Sequence, residues 1–193
     1  MSEMYYEIPD KQPGPAPAKL ILSSPFLDDL HFKRSVILLT EHNEQGSMGF
    51  ILNRPTDLKL QDALDDFPSF DAPLYFGGPV QPEIMQFIHK IPNLDESIEI
   101  KKGIFWGGNF DKLKFMIDIG QVQPSDIRFF IGYSGWAPLQ LEQEIIRKSW
   151  IVSQASKKFI FTPDYQELWR EVLQSMGGYY SRFTNIPEDP SFN

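Results

Sequence analysis

The chain has 193 residues, of which 41% are hydrophobic and 14% aromatic, and it contains no cysteine. A chain of this length and composition can bury a full core as one domain. The absence of cysteine excludes disulfides, thiolate metal sites and a cysteine nucleophile. No apolar run approaches the ~20 residues of a membrane-spanning helix, and the acidic first residues do not resemble a secretion signal. We therefore expect a cytoplasmic protein without membrane association.

The formal net charge of −8 argues against direct DNA binding, because neutralisation of phosphates supplies most of the affinity of DNA-binding proteins. The cations are scattered along the chain in four doublets: Lys33-Arg34, Lys101-Lys102, Arg147-Lys148 and Lys157-Lys158. A nucleic-acid-binding face requires such doublets to converge in the fold. We expect a protein or small-molecule partner instead.

Residues 1–18 are rich in proline, with Pro9, Pro13, Pro15 and Pro17. Since proline interrupts both helices and strand ladders, this leader is predicted to be extended or disordered. Residues 19–193 are assigned to a single domain. Apolar runs of strand length, each bounded by turn residues, predict strands there. The runs are 19–23, 35–41, 48–52, 74–76, 84–89, 98–106 with a break at Gly103, 127–133 and 150–155.

Helices are fewer, and they are predicted over 58–66, 109–120, 139–148 and 162–176. The last has the clearest signals, because Thr162 can cap it, Pro163 suits its first position and Gly177 ends it. Its apolar face is typical of a core helix. Strands outnumber helices and do not alternate with them. This pattern predicts an α+β fold with a mostly antiparallel sheet.

Three apolar strands run into turns that combine large aromatic residues with glycine, at 74–79, 104–109 and 130–136. Glycine permits positive φ and a close approach of the backbone to another group. Large aromatic side chains beside such turns cover a core or form the wall of a pocket. We expect the functional surface of the protein to lie at these turns.

The segment Gly132-Tyr133-Ser134-Gly135-Trp136 comes nearest to a catalytic motif. A nucleophile elbow requires glycine where Trp136 stands. No histidine follows Ser134, so a base would have to precede it in the chain, and His42 or His89 could take that place. We interpret the segment as a tight turn whose serine bonds local backbone, and we expect no enzymatic activity. A hydrolase or transferase using Ser134 with His42 or His89 remains the alternative.

The three histidines show no metal-ligand spacing, so neither a metal nor another cofactor is expected. His42 could form a polar cluster with Asn53 and Arg54 on the other arm of a hairpin, or it could stabilise the loop. Arg34, Arg54 and Arg128 lie beside apolar strands. Arginines in such positions are paired within the fold or face an anionic ligand.

Six strings in order and at matching spacing, over about residue 19 to the C-terminus, resemble the YqgE/AlgH family. They are Ser24-Pro25-Phe26-Leu27, Phe32-Lys33-Arg34-Ser35-Val36, Glu41-His42-Asn43, Gly46 through Pro55, Phe76-Gly77-Gly78-Pro79-Val80, and Gly132 through Trp136 with Leu141-Glu142. The strings Trp106-Gly107-Gly108 and Asp189-Pro190-Ser191 resemble the Bacteroidetes branch of that family. The chain departs from the pattern at Leu139, where many members have glycine.

The resemblance implies an α+β fold with a bifurcated, mostly antiparallel sheet folded into a pseudo-barrel, and helices packed outside it. It also implies a family without an established biochemical function. Its members are labelled transcriptional regulators by descent from one name, and no agreed catalytic residues can be carried over.

The leading hypothesis is a cytoplasmic regulatory or binding module that recognises a small ligand or a protein partner in a groove lined by the aromatic–glycine turns. The candidate contacts are Arg34, His42, Asn53, Arg54, Trp106, Ser134 and Trp136. An enzyme based on Ser134 and a direct nucleic-acid binder are the alternatives.

Overall fold

The computed structural model describes residues 7–9, 12–64 and 66–187. Ten strands occur in this part of the chain: β1 Lys19–Ser23, β2 Val36–Asn43, β3 Gly46–Ile51, β4 Pro55–Lys59, β5 Pro73–Phe76, β6 Val80–His89, β7 Ile98–Lys101, β8 Ile104–Trp106, β9 Ile127–Trp136 and β10 Trp150–Gln154. The helices are α1 Leu60–Ala63, α2 Phe110–Asp118, α3 Gln140–Ile146, α4 Lys157–Ile160 and α5 Leu168–Met176, with 3-10 turns at Pro124–Asp126 and Tyr180–Asn185. The α+β class predicted from the sequence is confirmed.

The strands form one sheet, in which eight follow the order β10-β1-β2-β3-β9-β6-β8-β7, and β4 pairs with β5 beside this path. The sheet divides at β9, whose first half pairs with β5 and whose second half pairs with β3. The β5–β9 pair is parallel, and the other pairs found in the described residues are antiparallel. The bifurcated, mostly antiparallel sheet is thus confirmed. It is not closed into a barrel, because its path ends at β10 and β7.

Two of the aromatic–glycine turns meet where the sheet divides. Gly132 has φ 66°, and a Cβ there would overlap the carbonyl oxygen of Gly78 and lie 3.0 Å from that of Val80. Gly78 has φ 151°, and a Cβ there would overlap the backbone carbonyl of Tyr133. The glycines at these turns therefore allow two backbones to touch at the junction.

The central part of the sheet is buried on both faces. In β1, Leu20 and Leu22 pack into one core cluster, together with the buried face of α5, whereas Ile21 packs into another, together with α3. Helix α2 covers a third cluster against β5 and β9. Burial on both faces explains why this antiparallel sheet has nearly continuous apolar strands, since alternation with polar residues is expected only where one face meets water.

Helix α5 begins at Leu168, so the prediction that it starts at Thr162 is wrong. The Thr162 hydroxyl accepts a hydrogen bond from the Asp164 N–H at 3.2 Å, as a local turn does. The Thr162 carbonyl accepts one from the Arg128 guanidinium and, within the described residues, not one from a backbone N–H of a helical turn. A tertiary contact overrides the local capping signal here.

The region after β3 also differs from prediction. The helix expected over 58–66 is limited to α1, and residue 65 lies outside the described part. The exposed strand β4 precedes it and was missed, because an edge strand such as Pro55–Lys59 lacks a buried alternating face. The short helix α4 was likewise not predicted.

Part of the leader packs on the domain. Ile8 is buried in the main core cluster. The Gln12 side chain donates to the Trp150 carbonyl at 3.1 Å and accepts from the Val152 N–H at 3.0 Å. These two bonds satisfy the outer edge of β10 as a neighbouring strand would, and they protect it from pairing with other chains. Residues 1–6, 10 and 11 of the predicted leader lie outside the described residues.

Candidate functional site

Three of the seven candidate residues, Arg34, Asn53 and Arg54, line one recess of about 260 Å³ beside the start of β2. The Asn53 side chain accepts from the Val36 N–H at 2.9 Å and donates to the Arg34 carbonyl at 2.8 Å. This amide holds the turn before β2, in which Arg34 adopts the left-handed φ of 56°. The turn directs Arg34 towards the core helix α5.

The two arginines of this recess are held by backbone carbonyls. Arg34 donates to the Ile186 carbonyl at 2.7 Å and stacks 4.0 Å from the centre of the Trp169 ring. Arg54 donates to the carbonyls of Leu30 at 2.9 Å and Lys33 at 2.8 Å. Burial lowers the pKa of Arg54, and the nearby charge of Asp29 opposes that shift. The guanidinium groups are thus fixed in orientation.

Sequence reasoning missed the other residues that line this recess, which are Lys33, Gln166, Trp169 and Arg170. Three of them come from α5 or the turn before it, more than a hundred residues along the chain. Only the packing of α5 onto the sheet brings them to the recess. Four cationic residues, Lys33, Arg34, Arg54 and Arg170, therefore line one small volume, which we call the cationic recess.

His42 lies at the opposite end of the β2–β3 hairpin, so the predicted cluster of His42 with Asn53 and Arg54 is not formed. The hairpin register pairs His42 with Ser47, next to the turn, whereas Asn53 reaches the start of β2. His42 Nδ1 lies 2.8 Å from the Ser47 hydroxyl, and His42 Nε2 lies 3.7 Å from the Glu142 carboxylate. The histidine thus stabilises the loop and its contact with α3.

Trp136 lies near this hairpin end and is nearly buried. Its indole N–H donates to the Glu144 carboxylate at 2.9 Å, and the Trp150 indole donates to the same oxygen at 2.6 Å. The two indole rings pack edge to face. Glu144, which the sequence did not single out, joins α3 to the sheet through this pair of bonds. One edge of Trp136 also borders an open recess of about 380 Å³ beside the hairpin.

Ser134 and Trp106 occupy separate positions. Ser134 is fully buried and its hydroxyl donates to the Gly77 carbonyl at 3.0 Å, at the junction where the sheet divides. Trp106 donates to the Gln86 side chain at 3.1 Å and packs near Phe50. The described residues therefore do not bring all seven candidates to one groove.

His89 is fully buried and its hydrogen bonds determine its tautomer. Nδ1 accepts from the Ile91 N–H at 3.1 Å, so the proton is on Nε2, which lies 2.9 Å from the Gly107 carbonyl. Burial lowers the pKa of His89, with the two backbone hydrogen bonds opposing the shift. Ser97 Oγ lies 3.2 Å from Nε2, but a protonated nitrogen cannot accept its proton. Among the described residues neither His89 nor His42 hydrogen-bonds to Ser134.

Of the four cation doublets, two lie next to each other and the other two border separate recesses. Lys101 donates to the Ala155 carbonyl at 2.6 Å, and the amine of Lys157 lies beside Gly103, so two doublets are neighbours. Lys33-Arg34 borders the cationic recess, and Arg147-Lys148 borders a different recess next to Ser149. Within the described ranges no three histidine or acidic side chains are grouped as metal ligands. No described helix is long and apolar enough to cross a membrane.

The fold and this site define an α+β protein with one bifurcated sheet and a cationic recess at the start of its central hairpin. The chain belongs to the AlgH-like family, DUF179, whose model matches residues 20–181. A UPF0301 protein of Chlorobium limicola is 47% identical over 178 residues, which cover 92% of this chain and 95% of that protein. A UPF0301 protein of Cytophaga hutchinsonii is 40% identical over 177 residues, which cover 91% and 97%. The resemblance stated from the sequence is confirmed, and assignment to a Bacteroidetes branch stays a prediction.

Solved structures share the fold. The solution structure of the AlgH protein from Pseudomonas aeruginosa superposes with a TM-score of 0.72 at 28% identity, covering 91% of this chain and 97% of that one. The crystal structure of protein DIP2367 from Corynebacterium diphtheriae has a TM-score of 0.76 at 22% identity, covering 91% and 94%. The second likeness, at this low identity, concerns the fold alone.

Proposed function

We propose that this protein is a cytoplasmic regulatory or binding module that recognises an anionic group, on a small ligand or a protein partner, at the cationic recess. The observation that carries the proposal is the convergence of Lys33, Arg34, Arg54 and Arg170 on one volume of about 260 Å³. The whole chain has a net charge of −8. A local concentration of positive charge on an acidic protein attracts anions to that place and away from the rest of the surface.

The cationic side chains of the recess differ in their hydrogen bonding: some are fixed by protein groups and one has no partner in the described part of the chain, and this combination favours recognition of an anionic group. Arg54 is fixed by two carbonyls, so its planar donors are oriented before any ligand arrives. The Arg170 side chain is 43% exposed and pairs with Glu167 at 3.1 Å. Lys33 is half-buried, and its amine has no hydrogen-bond or ion-pair partner among the described residues. Arginine recognises carboxylate and phosphate groups through paired planar donors, and lysine adds a point charge.

We propose that recognition occurs without chemical transformation of the ligand. The hydroxyl of Ser134 is buried and donates to a carbonyl, and the protonated nitrogen of His89 points to another carbonyl. A general base must lie within hydrogen-bond reach of the proton that it removes. Both arrangements support a structural role for these residues over the hydrolase alternative.

The test measures binding of inorganic phosphate and of a short polyglutamate peptide by calorimetry, for the wild type, Lys33→Gln and Lys33→Glu. Removing one point charge is expected to weaken binding by about two- to fivefold, and reversing it by about tenfold. Lys102→Gln is the matched control, because Lys102 is exposed and lies outside the recess. Binding by neither probe, or equal weakening by Lys33→Gln and Lys102→Gln, would overturn the proposal.

We also propose that DNA is not the partner. Lys33-Arg34 and Arg147-Lys148 border two recesses that share no lining residue, which supports a scattered arrangement of the cations rather than one continuous basic face. Filter binding of duplex DNA at low salt is expected to give no retention. Retention that falls steeply with salt would indicate phosphate contacts and contradict this view.

A further inference from the structure

A second recess, which shares no lining residue with the cationic recess, has a buried arginine at its floor. Arg128 of β9 is only 5% exposed. Its guanidinium donates to the Leu52 carbonyl at 2.6 Å and to the Thr162 carbonyl, and it lies 4.5 Å from the centre of the Tyr75 ring. Among the described residues no carboxylate pairs with it. A buried charge held only by neutral groups is costly unless something else compensates it.

The walls of this recess are apolar. Its volume is about 290 Å³, and its walls include Pro73, Pro124, Ile127, Phe161 and Pro163. This size is at the small end of the range for ligand pockets. It suits a molecule with a single aromatic ring.

Two phenol groups supply further polar atoms at the recess. Tyr75 is buried and Tyr165 half-buried, and their rings meet edge to face with centres 6.1 Å apart. Neither hydroxyl has a hydrogen-bond partner among the described residues. Neither oxygen is one of the buried side-chain polar atoms that lack a partner, so both are accessible from the recess. Two accessible hydroxyls beside a guanidinium can donate to an acceptor group that binds there.

Thr162 and Tyr165 form one wall of the recess because the segment that contains them is irregular and not helical. Thr162 and Pro163 are suited to start a helix, yet the chain stays irregular until Leu168. The contact between Arg128 and the Thr162 carbonyl accompanies that irregular path. Departures from local preference of this kind are expected at functional sites.

We propose that the Arg128 recess binds a small carboxylic acid with an aromatic or similarly bulky apolar body. Two of the five guanidinium N–H donors are used by the two carbonyls, which leaves donors for a carboxylate. The hydroxyls of Tyr75 and Tyr165 donate to the same anion, and the apolar walls enclose the body. A single cation at the floor matches one negative charge, whereas a phosphate dianion would retain an uncompensated charge against apolar walls. The inference is independent of the cationic recess.

Calorimetric titration with phenylacetate, phenylacetamide and inorganic phosphate at pH 7 tests this assignment. Phenylacetate is expected to bind with a Kd of about 1 mM or tighter, and the neutral amide at least about tenfold more weakly. Phosphate is expected to leave this recess unoccupied, as judged by competition with phenylacetate. The comparison of acid and amide isolates the charge, because the two probes have nearly the same shape.

Variants at the edge of the recess locate the binding without touching its buried floor. Ser125→Phe changes an exposed lining residue and is expected to abolish phenylacetate binding by filling the opening. Tyr165→Phe removes one donor and is expected to weaken binding about three- to tenfold, while Tyr180→Phe, outside the recess, leaves it unchanged. Absence of binding up to about 10 mM, equal binding of the amide, displacement by phosphate, or retention of full affinity by Ser125→Phe would each overturn the assignment.

Discussion

The junction where the sheet divides allows a sharp test of the fold, through the substitution Gly132→Ala. Gly132 has φ 66°, and a left-handed conformation costs a non-glycine residue roughly 1–2 kcal/mol. The added Cβ would also overlap the Gly78 carbonyl oxygen. Forcing the β5–β6 turn away from β9 is comparable to overpacking a core, which costs about 1–3 kcal/mol. The expected loss in the free energy of unfolding is therefore about 2–5 kcal/mol.

Gly120→Ala is the matched control for this prediction. Gly120 follows α2 with φ 73°, and a Cβ there would meet no atom within 4 Å. It should cost only the conformational part, roughly 1–2 kcal/mol. For a domain of this size 1 kcal/mol corresponds to a shift of about 2–4 °C in Tm. Thermal unfolding followed by tryptophan fluorescence measures both variants, and equal losses would refute the argument that two backbones meet at Gly132.

Two further predictions concern buried polar groups. The pKa of His89 is lower in the folded protein than its unfolded value of about 6.5, so the unfolded state binds more protons and the free energy of unfolding should fall as the pH decreases below about 6.5. Urea unfolding between about pH 7.5 and pH 5.5 measures this slope, which is expected to be smaller in His89→Gln. An unchanged slope in the variant would contradict the prediction. Glu144→Ala leaves the indole N–H groups of Trp136 and Trp150 unpaired and should lower the free energy of unfolding by about 2–4 kcal/mol. Glu144→Gln keeps one acceptor oxygen and should lower it by less. Equal losses for the two variants in chemical unfolding would argue against the shared carboxylate.

The strands of the central hairpin were predictable because their apolar runs are bounded by turn residues. Hydrophobic period and turn chemistry are local properties, and they located β1, β2, β3 and β9 to within a few residues. The edge strand β4 and the start of α5 were not predictable in this way. β4 has no buried alternating face, and the region around Thr162 is shaped by Arg128.

The candidate site was predictable in its residue types but not in its grouping. Asn53 and Arg54 follow β3, and the hairpin register carries them to Arg34, not to His42. The sequence alone grouped them with His42, because register is a tertiary property that depends on which faces of the strands are buried. Trp169 and Arg170 reach the same recess only through the packing of α5.

By itself, the sequence determined the α+β class, the absence of cysteine chemistry, the family and the strands of the hairpin, since each follows from composition, spacing or local period. The tertiary structure alone decided that Gly132 joins two backbones, that Ser134 donates to the Gly77 carbonyl, and that Arg128 is buried with no carboxylate beside it among the described residues. The physical reason is the same in each case. These properties depend on groups that are distant along the chain, and only the folded backbone determines which of them come within reach of one another.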